Sequence, residues 1–180
     1  MDSIYEETEE FIANLTPNEK VELVLGFFKS NFEFILTPLF IDNATTLPDL
    51  NWQKIKYTEH AQHDFPQRQG VYMFSVSFDI PNLPTNSYVL YVGKAGDVDS
   101  NNTIAKRFRD YVRPSGYSGR PKVRKMIKYF KEHLFYHYAE VDQGTSTAEV
   151  EEALADVFVP PCNQTDFSAQ VRSFVRGVRL

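Results

Sequence analysis

Hydrophobic positions along the chain change period several times, and the changes outline its elements. Val21, Val24, Leu25, Phe28, Phe32 and Ile35 recur at spacings of three and four, the repeat of one helix face. Thr16-Pro17-Asn18-Glu19 has the form of a capping box with proline at the first helical position, and Pro38 closes the segment. A shorter acidic helix is predicted before it at 3–14. From 37 to about 66 the pattern is irregular, broken by Pro38, Pro48 and Pro66. At Gly70 the texture changes. Gly70–Phe78 and Ser87–Val92 are rich in β-branched and aromatic residues and predict two strands, joined by the turn-rich connector 79–86 as a long-looped hairpin. A polar loop at 93–103 leads to basic helices at about 103–112 and 121–132, separated by the turn 114–119. A third strand is predicted at Leu134–Val141, then a helix from Thr147 to Phe158 stopped by Pro160-Pro161. The order ββααβα with a short tail predicts an α+β domain at 67–180, a small three-stranded sheet flanked by helices. Residues 1–66 form an acidic, mainly helical N-terminal extension in this reading.

Composition narrows the classes. With 42% hydrophobic and 24% charged residues among 180, the chain is not wholly disordered. No apolar run approaches the roughly 20 residues of a bilayer span. The first residues are acidic where a secretory signal would be basic and then apolar. A soluble, cytoplasmic protein without membrane contact is expected. The single cysteine, Cys162, excludes an internal disulfide framework and a cysteine-built zinc cage. Charge changes the picture most, because the net −5 hides a division. Residues 1–66 hold twelve acids against four lysines, while residues 104–131 hold ten Lys/Arg against Asp110 alone. An anionic partner for the basic segment is expected, with a solvated basic helix face as the plainer reading.

Candidate chemistry starts at Gly70-Val71-Tyr72 and Tyr91-Val92-Gly93, two strand-borne Tyr/Gly tripeptides. Lys94 follows the second; Ile104-Ala105-Lys106-Arg107 opens the first basic helix, with Tyr111 four residues on. Glu151 lies twelve residues before Asn163, and Pro160 three before it. These elements, in this order over residues 70–163, resemble the GIY-YIG nuclease family, with Val in place of Ile in both tripeptides. The segment Leu90-Tyr91-Val92-Gly93-Lys94-Ala95 is similar to the form in the bacterial excision-repair nuclease subunit. The extension before residue 66 has no counterpart in the family's core. At this length the architecture expected is that of a stand-alone endonuclease, such as a restriction or phage-defence enzyme. Both the loop between the tripeptides and the loop from Lys94 to Arg107 are longer than in compact members.

The resemblance implies metal-assisted hydrolysis of DNA phosphodiester bonds. In that scheme Tyr72 is the general base, and Arg107 presents its planar fork to the non-bridging oxygens of the phosphoryl group. Glu151 is the sole expected protein ligand of one Mg²⁺, with Mn²⁺ able to substitute. Tyr91 and Tyr111 position water and phosphate, and Asn163 braces the loop beside the site. A free phenol has a pKa of about 10, so a base near neutrality needs its phenolate stabilised by about 2 units, roughly 2.7 kcal/mol. Lys94, Arg107 and the metal are the expected sources of that field. Gly70 and Gly93 allow close backbone packing.

Each residue also has a plainer reading. Tyr72 and Tyr91 fit half-buried strand tyrosines, Glu151 fits a solvated acidic face with Glu149 and Glu152, and Arg107 fits simple phosphate contact. His60 with His63, and His133 with His137, are weak metal candidates. Lys106, Arg109, Arg113, Arg120, Lys122, Arg124, Lys125 and Lys128 are expected to contact the nucleic-acid backbone. A second function class is a nucleic-acid-binding or assembly module that uses the nuclease fold for grip; a third keeps the nuclease and cuts RNA. The acidic extension could dock a protein partner or a second copy of the chain, or lie over the basic segment as a DNA mimic. Phe27, Phe28, Phe32 and Phe34 occupy more than one helix face, which points to burial on both sides.

Overall fold

A computed structural model describes residues 13–35, 40–45, 47–77, 84, 86–97, 100 and 102–178. The chain forms two compact units, Met1–Glu33 and Phe34–Leu180. In the first, helix α1 spans Pro17–Phe32. Its capping box is made: Glu19 N–H donates to Thr16 Oγ1 (3.3 Å) and Thr16 N–H to Glu19 Oε2 (2.8 Å). Most of the acidic helix predicted at 3–14 and most of the connector 79–86 fall outside the described residues.

The second unit contains a four-stranded antiparallel sheet with helices: α2 (Phe40–Thr45), β1 (Gln53–Lys56), β2 (Gly70–Ser77), β3 (Ser87–Ala95), α3 (Ile104–Val112), α4 (Pro121–Phe130), β4 (Leu134–Glu140), α5 (Thr147–Phe158) and α6 (Ala169–Val178). The strand order is β1-β4-β2-β3. The expected sheet of three strands is therefore corrected to four. Gln53–Lys56, read as irregular, pairs with Phe135–Tyr138 of β4, a non-local partner that four residues cannot announce. The predicted short tail also contains a helix, α6.

Side-chain alternation gives the sheet two unlike faces. On one, Val71, Val92 and Ala139 meet Val150 and Leu154 of α5 in an aliphatic core. On the other, Tyr72, Phe74 and Tyr136 pack edge-to-face against Tyr111 and Phe108 of α3. Strand β2, central and buried along its length, carries residues of both faces. Two close approaches explain two glycines. A Cβ on Gly70 would lie 2.7 Å from Ile104 Cδ1, and one on Gly93 would lie 2.5 Å from Tyr72 Cζ. Gly93 stands directly opposite Tyr72 in the β2–β3 register, so the phenol ring lies over it.

Helix α5 ends at Val159, which takes a left-handed conformation (φ 41°). A β-branched residue is strained there, and the packing of Val159 with Phe167, Val171 and Val175 opposes the strain. The chain then turns sharply into Pro160-Pro161 and brings Cys162 N–H to Leu90 C=O (3.0 Å). Among the described residues no helix is long and apolar enough to cross a membrane.

Candidate active site

The aromatic face supplies a string of polar tips. Tyr72 and Tyr111 are both completely buried, and their hydroxyl oxygens are 2.6 Å apart. Arg107 Nε–H donates to the Tyr72 oxygen (3.1 Å), and Arg120 Nη1–H donates to the Tyr111 oxygen (2.8 Å). Helix α3 sets this arrangement. Thr103 Oγ1 accepts from Lys106 N–H at its start, and Arg107 and Tyr111, four apart, share the face turned to β2. Tyr57 Oη–H donates to the Tyr111 backbone carbonyl (2.8 Å) and ties the helix end down. Tyr91 packs its ring 6.3 Å from that of Tyr72 and 6.2 Å from that of Tyr111.

Glu151 approaches from α5. Of the three neighbouring acids on that helix, Glu149 and Glu152 are exposed and Glu151 is half-buried. The Lys94 backbone N–H donates to its carboxylate. Burial first, then Asp166, push the Glu151 pKa up to about 7, against Lys94 and Arg107. Asn163 is fully buried and clamps β3: Val92 N–H donates to its Oδ1 (2.9 Å), and its Nδ2 donates to Val92 C=O (2.9 Å) and to Asp166 Oδ2 (3.0 Å). The side chain thereby ties the post-α5 turn to the strand that carries Tyr91 and Gly93.

Burial lifts the Tyr72 phenol above its ordinary range, with Tyr91 adding and Arg107 and the Tyr111 hydrogen bond opposing. The Lys94 ammonium is paired with Asp97 Oδ2 at 2.8 Å, and Arg107 is the cation that acts most strongly on Tyr72.

Compared with protein-family models, curated proteins and solved structures, the chain matches none. The site therefore stands on its own geometry. Of the sequence candidates, the fold brings Tyr72, Tyr91, Arg107 and Tyr111 into one aromatic cluster. It brings Lys94 (through its backbone), Glu151 and Asn163 into the adjoining polar one. Arg120, expected only as a backbone contact, belongs to the first cluster: it also stacks on the Tyr111 ring (4.7 Å) and donates through Nη2 to Gly116 C=O (2.8 Å). Lys122 donates to Pro161 C=O (2.8 Å). Lys106, Arg109, Arg113, Arg124 and Lys128 are exposed, and Lys125 is half-buried.

Asp166 and Tyr57 are the polar neighbours that sequence reasoning missed. Asp166 lies three residues past Asn163, within a single turn, which is the one local signal for it. Tyr57 had none, because its partner is 54 residues away. The histidine pairs make no shared site: His60 Nδ1 is 2.7 Å from Tyr57 C=O, His63 Nε2 is 2.7 Å from Tyr138 Oη, and His137 Nε2 is 2.8 Å from Ser75 Oγ. Among the described residues no three His, Cys, Asp or Glu gather as a metal cage. Beside the aromatic cluster, Glu151 and its neighbour Asp166 offer carboxylate oxygens to a cation.

Proposed function

We propose that the protein is a metal-dependent endonuclease of the GIY-YIG type, hydrolysing DNA phosphodiester bonds. The observation that carries this reading is the convergence of Tyr72, Arg107 and Tyr111 with Glu151 next to them, drawn from β2, α3 and α5. A phosphodiester reaction needs a base for water, positive charge for the phosphoryl oxygens and a means of carrying charge on the leaving oxygen. Tyr72 is the base. Arg107, its Nε committed to Tyr72 and its Nη1 3.6 Å from Asp110, keeps Nη2 for a non-bridging oxygen. Tyr91 and Tyr111 orient water and phosphate, and the exposed arginines and lysines of α3 and α4 hold the flanking backbone.

Glu151 suits a Mg²⁺ ion: it is a hard oxygen donor, and burial and Asp166 disfavour its charged form more than Lys94 and Arg107 favour it. When bound, the ion supplies Lewis-acid stabilisation of developing negative charge. Asn163 keeps the turn that carries Asp166 docked on β3. A role in restriction or phage defence belongs to the same proposal.

The complete burial of Tyr72 and Tyr111 favours a second reading, a nucleic-acid-binding module whose tyrosines only hold the fold. Supercoiled plasmid incubated with Mg²⁺ or EDTA separates the two. Nicking or linearisation that needs Mg²⁺ and disappears in Tyr72→Phe and Glu151→Ala supports the nuclease. Retarded but intact plasmid with several divalent metals supports the module. Competition between DNA and RNA of one sequence decides the polymer.

A further inference from the structure

Arg107, Tyr72, Tyr111 and Arg120 form an unbranched chain of three hydrogen bonds. Both guanidiniums are donors only, so each phenol oxygen accepts one N–H from outside the pair. Two neutral phenols bring two protons. One occupies the bond between the oxygens; the other finds no acceptor, since neither hydroxyl makes another hydrogen bond among the described residues. With one proton removed, no phenol proton is left without an acceptor. The 2.6 Å separation lies at the short end of the O–H···O range of about 2.5–3.0 Å, where O–H···O⁻ bonds of about 2.5–2.7 Å fall. We propose that Tyr72 and Tyr111 form a phenol–phenolate pair holding a single proton between Arg107 and Arg120, which makes Arg120 a positioning residue acting on Tyr72 through Tyr111.

The surrounding charges agree with one negative charge on the pair. Two guanidiniums touch it, and Asp110, 3.6 Å from Arg107 Nη1, offsets part of one of them. Glu151 faces Arg107 from α5, Tyr91 faces the pair from β3 and Tyr136 from β4, its ring stacked 5.4 Å from that of Tyr72. Tyr57 spends its hydroxyl on the Tyr111 carbonyl. Burial raises both phenols on balance, and Arg107 and Arg120 offset only part of that rise. Repulsion between two phenolates burdens the second ionisation alone, so the first proton leaves more readily than the second. The assignment deepens the nuclease reading, and as that reaction's base the pair rests on it. Tyr72 takes one proton from water, and the pair passes from one proton to two. The hydroxide formed bonds phosphorus, and the leaving oxygen departs with the electrons of its bond to phosphorus.

The test is a pH titration by NMR of protein labelled at the tyrosine Cζ carbons, without metal or nucleic acid. Tyr72 and Tyr111 are expected to move together in one step below that of Tyr136, which is buried but has no guanidinium on its hydroxyl. Arg120→Gln should raise the step by about one pH unit, a tenfold change in proton affinity, and Arg120→Lys should restore part of it. Tyr111→Phe, read alongside in case Arg120→Gln does not fold, should abolish the joint step and move Tyr72 up towards Tyr136. Full protonation of both tyrosines up to the Tyr136 step in the unaltered protein, or a step unmoved by Arg120→Gln, overturns the pair. A joint step in a protein that cuts no nucleic acid supports the pair and overturns the nuclease reading; cutting without a joint step overturns the pair alone.

Discussion

The two halves of the candidate site meet the cost of burying charge differently. On the aromatic side, Tyr72 and Tyr111 lie between Arg107 and Arg120, so a negative charge there finds its counter-charge within the protein. On the α5 side, burial and then Asp166 push Glu151 up to about 7, and Lys94, itself paired with Asp97, offsets only part of that rise. Cationic side chains hydrogen-bond the phenols, whereas among the described residues none is ion-paired with the Glu151 carboxylate, on which Lys94 and Arg107 act only at longer range. In the proposed nuclease the first half is complete as folded, and the second is the half that recruits a cation.

The sharpest way to break this comparison is to remove the base. Tyr72→Phe keeps the ring over Gly93 and deletes the hydroxyl, and cleavage should fall by about 10²–10⁴-fold with the fold intact by circular dichroism. A loss under tenfold would move the chemistry away from the aromatic half.

The carboxylate half is tested by pH. The Glu151 pKa rises on folding from an ordinary 4.5 to about 7, so between these values the folded protein binds more protons than the unfolded one. Its contribution to stability is full below about 4.5 and is lost as pH rises through about 7, a change on the order of 3 kcal/mol in metal-free protein. Urea midpoints for wild type and Glu151→Gln should diverge over that window, the variant losing less stability as pH rises. Added Mg²⁺ should raise the wild-type Tm above pH 7 and leave that of the variant unchanged.

Asn163→Ala sharpens the comparison by loosening the tie between the halves. It leaves Val92 N–H and C=O without their side-chain partner, at a cost of about 2–3 kcal/mol read from urea unfolding. The smallest effect is expected on the exposed basic face. Arg124→Ala or Lys128→Ala should weaken DNA binding a few-fold and lower the slope of log K against log salt by about 1, measured by fluorescence anisotropy.

Much of this was legible because the signals are local. Helices α3, α4 and α5 follow their caps, prolines and three-to-four spacing, and β2 and β3 follow their β-branched and aromatic runs. Strand β1 was not legible, since Gln-Lys-Ile-Lys carries no run and its pairing is made by β4, about 80 residues later. Helix α6 was: Val171, Phe174, Val175 and Val178 hold the spacing of one helix face, and only the short tail's position hid it. In the site, residues at motif spacing could be named, but Arg120 could not be assigned its place. It reaches Tyr111 across the turn after α3, a contact made by the path of that turn and not by any repeat. Charge partnership was equally hidden: Lys94 has a motif position, yet Asp97, three residues on, takes its ammonium.

The central claim is tested most directly by the initial rate at which purified protein cuts a labelled DNA duplex in Mg²⁺. Tyr72→Phe is measured beside Tyr88→Phe, an exposed tyrosine of the same sheet outside the site. The account predicts cutting by wild type and by Tyr88→Phe, with loss in Tyr72→Phe and in EDTA. Equal rates for all three proteins, or no cutting by wild type with Mg²⁺ or Mn²⁺, would contradict it.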